Sequence, residues 1–245
     1  MTWKEVIIQL YETFLTDVLP TTESILKAPF WNADAVWLVA PLLVVLVFMS
    51  LYFGKHRNEE LGWNTAFGNS ISLIFVSTLL MKYMWQTYDF TVDLTQSFVE
   101  YKLILIGFMF IQAFSLLFLD FFHTLPKRFA FFFSSPVFIN TTAFLGIALV
   151  YGDIAMDWIT LWAALLVYLL VFVATFVMRK IVRPSEQAKK FLKRKADEKK
   201  EKKRVKRAIR TRKIHDFEEQ FLYDVKLVKR KVREFFDKMF GWIRF

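Results

Sequence analysis

The sequence predicts an all-α integral membrane protein: five transmembrane helices, preceded by an N-terminal amphipathic helix and followed by a long basic C-terminal cytoplasmic helical tail. Three observations predict it. Apolar residues make up 56% of the chain and aromatic residues 18%, including 29 Phe, a balance suited to lipid rather than to a water-facing surface. Five stretches reach the length of about 20 mostly apolar residues that a bilayer crossing needs. The charge is also divided: residues 1–178 carry eight Lys/Arg against thirteen Asp/Glu, a net of −5, and residues 179–245 carry twenty-five against ten, a net of +15.

Four regions follow: residues 1–34 as an external amphipathic helix and connector, 35–178 as the transmembrane domain, 179–213 as a basic juxtamembrane arm, and 214–245 as an amphipathic C-terminal helix. In the first, Trp3, Val6, Ile7, Leu10, Tyr11, Phe14, Leu15 and Val18 recur at helical spacing with polar residues between them. This predicts a helix that stops before Pro20 and lies along the membrane surface or against the bundle. Residues 21–32, with Pro29 and the pair Phe30 and Trp31, read as a connector with an interfacial anchor. The N-terminus lacks the pattern of a signal peptide, so no cleaved leader is expected.

The expected spans are residues 35–53, 65–85, 103–122, 130–151 and 158–178. The fourth is the least regular, because Ser134, Ser135, Pro136, Asn140, Thr141 and Thr142 crowd its first half. Residues 179–213 then hold eighteen Lys and Arg against four acids, a density that belongs in water. Positive flanks stay cytoplasmic, so this run places the tail inside the cell membrane and, after five crossings, the N-terminus outside. The loops agree: Lys55, Arg57, Lys127 and Arg128 fall on the inner side, whereas loops 86–101 and 151–157 contain acids and no Lys or Arg. With Pro184 near its start and no Gly before Gly241, the arm has the makings of a long charged helix, although like-charge repulsion favours partial disorder. Ile214, Phe217, Phe221, Val225, Val228, Val232, Phe235 and Met239 form a heptad-like stripe suited to coiled-coil pairing. The chain ends on an aromatic cluster from Phe240 to Phe245.

Zero Cys excludes disulfides, thiolate metal sites and Cys nucleophiles, and no phosphate-binding loop, nucleophile elbow, zinc-protease or dinucleotide motif is present. Polar residues at membrane depth are the first candidates for function. Asn69, Ser72, Gln112 and Asn140 either line a hydrated path or act as interhelical glue, with Gly68, Gly107 and Gly146 letting helices approach closely. Asp120 and His123 share a helix face and, with His56 and Glu59, are weak metal candidates; a pairing of Asp120 with Lys127 or Arg128 explains the same residues without metal. Asp89 and Asp93 act as an acid/base pair only if the fold places them in a cleft. In the arm, Lys193, Arg194, Lys195, Lys202, Lys203, Arg204, Lys206 and Arg207 suit anionic lipid headgroups or the phosphates of nucleic acid.

The functional expectation is a non-enzymatic polytopic subunit or scaffold, homo-oligomeric or part of a membrane complex, that needs no cofactor. Its tail binds a partner helix through the stripe and an anionic partner through the arm. A channel or small-solute transporter built on the second to fourth spans is the alternative, and a metal-dependent membrane enzyme the next.

Overall fold

A computed structural model describes residues 3–88, 97–152 and 154–240. All regular structure among them is helical. Contacts divide the chain into a membrane unit, Met1–Ala188, and a tail unit, Lys189–Phe245.

Five stretches are long and apolar enough to cross a membrane: Ala33–Lys55, Trp63–Thr87, Val99–Phe121, Lys127–Tyr151 and Trp158–Ile181. A helix of 23 to 25 residues is about 35 Å long, enough for a hydrocarbon layer of about 30 Å. The protein is therefore membrane-embedded, and its surface agrees. Phe48, Phe75, Ile104, Phe108, Phe118 and Phe172 face outward, an arrangement that suits lipid tails and would be costly in water.

The N-terminal helix that begins with α1 (Trp3–Thr13) does not stop before Pro20. It passes through a π turn, Phe14–Val18, into α2 (Leu19–Lys27), which a 3₁₀ turn, Ala28–Trp31, extends. The stretch expected to be a connector is thus mostly helical. The reason lies one residue upstream: Leu19 N–H bonds to the Phe14 carbonyl, five residues back, so the ladder widens where Pro20 cannot donate. Val18, Thr22 and Ile25 are then buried, with α2 against α7 and α8, while Trp3, Ile7, Ile8 and Tyr11 of α1 stay exposed.

Capping residues set the other boundaries. Asn32 Oδ1 accepts from Asp34 and Ala35 N–H to start α3 (Ala33–Lys55). Gly62 precedes α4 (Trp63–Thr87), which packs along α5 (Ser97–Phe121) more extensively than any other pair of helices. The fourth span is broken into α6 (Lys127–Phe133) and α7 (Pro136–Tyr151). Ser134 closes α6, and the Ser135 hydroxyl accepts from Phe138 N–H to open α7, with Pro136 in the first turn where its missing N–H costs nothing. Asp157 caps α8 (Trp158–Ile181) by accepting from Thr160 N–H at 2.8 Å. Ser185 likewise accepts from Ala188 N–H at the start of α9.

Helix α7 is the centre of the bundle. Twelve of its sixteen residues are buried, and α2, α3, α4, α5 and α8 all pack on it. Gly146 makes room for a side chain of α5: a Cβ there would lie 2.4 Å from Met109 Sδ. Gly68 and Gly107 play no such part, since a Cβ on either meets nothing within 4 Å.

Helix α9 (Glu186–Phe240) begins in the last residues of the membrane unit and runs unbroken for 55 residues, about 80 Å, through both the basic arm and the apolar stripe. The terminal aromatic residues after Phe240 lie outside the described residues, as do Asp89, Asp93 and Asp153.

Candidate functional site

The break between α6 and α7 gathers polar groups at one end of the bundle. Ser134 is fully buried and donates its hydroxyl to Asp120 Oδ2 at 2.6 Å, while Ser70 Oγ lies 3.3 Å from the same oxygen. Asn69 Nδ2 donates to the Ser134 carbonyl at 2.7 Å, satisfying an acceptor that the interrupted helix would leave free. Asp120 thus ties α4, α5 and the break together, with hydroxyls where Lys127 or Arg128 was expected. Its Oδ1 is buried without a partner among the described residues.

His123 shares the end of α5 but not this cluster of bonds. It has φ 52°, and Thr124 N–H bonds to Leu119 O while His123 N–H reaches Asp120 O at 3.4 Å, the two bonds of a Schellman ending. Its ring stacks on Trp63 at 4.1 Å between centroids. His56 stacks on Tyr52 and places Nδ1 3.5 Å from Glu59. No three metal-ligating side chains gather among the described residues.

The four polar candidates occupy different surroundings. Asn69 belongs to the break. Ser72 is exposed and bonds back to the Gly68 carbonyl. Asn140 is buried, its Nδ2 without an acceptor among the described residues. Gln112 borders a groove of about 950 Å³ between α5, α7 and α8, walled by residues such as Phe108, Leu145 and Leu165, with the paired hydroxyls of Thr142 and Tyr168 as further polar groups.

A second polar junction adjoins the break. At Gly54 a Cβ would stand 2.9 Å from the Arg179 carbonyl oxygen, so only glycine lets α3 and α8 meet this closely. Arg57 then reaches across: Nε donates to Gly54 O at 3.0 Å, and Nη2 to Arg179 O at 2.8 Å and Val182 O at 3.3 Å. One guanidinium satisfies carbonyls at the ends of two helices, where its charge also opposes their negative poles. Ser185 N–H bonds to Lys55 O beside it. Sequence reasoning missed this junction, because no local pattern shows that Arg57 will meet a carbonyl 122 residues away. Lys102 was missed too; it is buried and lies over the Tyr88 ring at 5.7 Å.

In α9 the stripe is uncovered where its side chains are described: Phe217 is 71% exposed, Phe221 59%, Val225 47% and Val228 59%. The side chains of Ile214, Val232, Phe235 and Met239 lie outside the described ones. Lys193, Arg194, Lys195, Lys202, Lys203 and Arg204 are exposed, with Lys195 Nζ 5.4 Å from the Phe191 ring centre, and the side chains of Lys206 and Arg207 again lie outside. Comparison with family models, curated proteins and solved structures finds no match for this chain.

Proposed function

We propose that this protein is a non-enzymatic membrane subunit that assembles through the apolar stripe of α9. Its tail lies in the cytoplasm, and the basic arm sits beside an anionic surface. The observation that carries this reading is the exposure of Phe217, Phe221, Val225 and Val228 on a helix that is otherwise densely charged. Four large apolar side chains held in water at near-heptad spacing lose stability unless another helix covers them, and burying each gives about 1.5–3 kcal/mol. Abundant Lys and Arg on the same helix keep it soluble until it pairs and supply attraction to phosphate-bearing surfaces. A transport role has less support, since Asn69, Ser72, Gln112 and Asn140 occupy separate surroundings.

Because the chain contains no Cys, a single introduced thiol reports contacts without background. Val225→Cys in full-length protein in native membranes is expected to form disulfide-linked species on mild oxidation, with a second copy or with a partner chain. Arg230→Cys, on the opposite face of the helix, is expected to form far fewer. Equal crosslinking at both positions, or none at either together with a strictly monomeric mass, overturns the proposal.

A further inference from the structure

Beside the Arg57 junction lies a cavity of about 490 Å³ between α3, the loop that follows it, the α6–α7 break and α8. We propose that this cavity binds the phosphate of an anionic membrane phospholipid, held by Arg179 and Lys180, with Arg57 adding its charge from behind.

The charges come first. Arg57, Arg179 and Lys180 line the cavity against a single carboxylate, Glu59. That carboxylate is already engaged, since Tyr52 donates its hydroxyl to Glu59 and His56 Nδ1 lies 3.5 Å away. Arg57 is committed in part to the three carbonyls it caps. Arg179 is not committed: its Nε is buried and has no acceptor among the described residues, and its guanidinium rests 5.8 Å from the Phe53 ring centre. A guanidinium N–H buried without an acceptor is costly, and an entering anion would offset that cost. A phosphate fits best, because its tetrahedral oxygens accept from a planar guanidinium and an ammonium together.

The remaining walls select a lipid. Phe53, Leu61, Phe131 and Phe176 supply apolar surface around the cations. Phe176 is half exposed, and along the same helix Phe172 and Val173 face outward. A headgroup in the cavity could therefore leave its acyl chains on the lipid-facing side of α8. Basic pockets between transmembrane helices are suited to this type of ligand. The first turn of α7, at Ser135 and Pro136, completes the wall and adds the positive end of a helix, although the site does not depend on it.

Native mass spectrometry of the full chain in detergent, titrated with phosphatidylglycerol or phosphatidylcholine, tests the proposal. Wild type is expected to retain phosphatidylglycerol in preference to phosphatidylcholine. Arg179→Gln should weaken that adduct about tenfold and Lys180→Gln about threefold, the scale of one part-buried and one surface charge contact. Lys180 is exposed, so its variant keeps the test sound if thermal unfolding shows that Arg179→Gln misfolds. Lys82→Gln, at an exposed lysine near the C-terminal end of α4 and outside the cavity lining, should keep the adduct. Displacement of the lipid by millimolar glycerol 3-phosphate would support the same cations as a phosphate site and assign the source to a soluble ligand. Equal retention of the two lipids, undiminished binding by both cavity variants, or loss of the adduct in Lys82→Gln overturns the proposal.

Discussion

Gly54 and Gly68 are the same residue in neighbouring transmembrane helices, yet their surroundings give substitution opposite signs. A Cβ at Gly54 strikes the Arg179 carbonyl oxygen at 2.9 Å and its Cα at 3.0 Å, atoms that move only if α8 moves. Gly54→Ala is expected to cost about 1–3 kcal/mol through overpacking and to weaken the Arg57 bonds across the junction. Gly68→Ala meets nothing within 4 Å, so only the lost backbone freedom of the unfolded chain remains, and stability should rise by about 0.5–1 kcal/mol. Thermal unfolding of both variants in one detergent checks the pair, and equal shifts would contradict it. Single residues were the least legible scale in the sequence. Gly146 was placed among the close-packing glycines and Gly54 was not, because small residues look alike until the partner helix is known. Asp120 stands out in the sequence as an acid at the end of an apolar run, but its partners do not. Its hydroxyl partners stand 50 and 14 residues away, where no helical spacing points.

At the scale of the element, legibility followed length. The four unbroken spans were plain because an apolar run longer than a bilayer has few other uses. The fourth was irregular in sequence for the same reason that it is irregular in space: Ser134, Ser135 and Pro136 end one helix and cap the next. Pro20 misled because the rule that proline ends a helix assumes an unaltered hydrogen-bond ladder, and a π turn changes the ladder. A cap makes the most direct test at this scale. Asp157 holds its carboxyl below the usual carboxylate range, chiefly because Thr160 N–H donates to the charged form. A lowered folded value means that the stabilisation is present above the unfolded value, about 3.9, and is lost as the pH falls through the folded one. Wild type should therefore lose thermal stability below about pH 4 in part through this group, with the effect kept small by solvent screening. Asp157→Asn keeps a capping acceptor and should flatten that limb, whereas Asp157→Ala should cost about 1 kcal/mol at neutral pH as well. Melting temperature against pH for the three proteins separates cap from charge, and identical acid limbs for wild type and Asp157→Asn would remove Asp157 from the account.

For the whole molecule, two physical demands divide the chain. The membrane unit turns many large apolar side chains outward, and its interior packs on α7 through small residues such as Ala143 and Ala148 beside larger ones such as Ile139 and Ile147. The tail unit reverses that balance, with charges outward and a narrow apolar stripe between them. The proposed orientation joins these demands to the distribution of Lys and Arg, because moving so basic a helix across a bilayer would cost far more than retaining it inside. The absence of Cys allows a direct test. Glu60→Cys lies in a loop and Arg128→Cys in the first turn of α6, both at the end assigned to the cytoplasm, and Ile154→Cys in a loop assigned to the outside. In sealed cells a membrane-impermeant maleimide should label Ile154→Cys at once, and the other two only after lysis. Labelling of Glu60→Cys from outside would invert the molecule and place both the α9 stripe and the Arg179 cavity on the opposite face. Labelling of Glu60→Cys and Ile154→Cys together would mean that the helices between them do not cross in sequence. In either case the basic arm could not be the element that orients the chain.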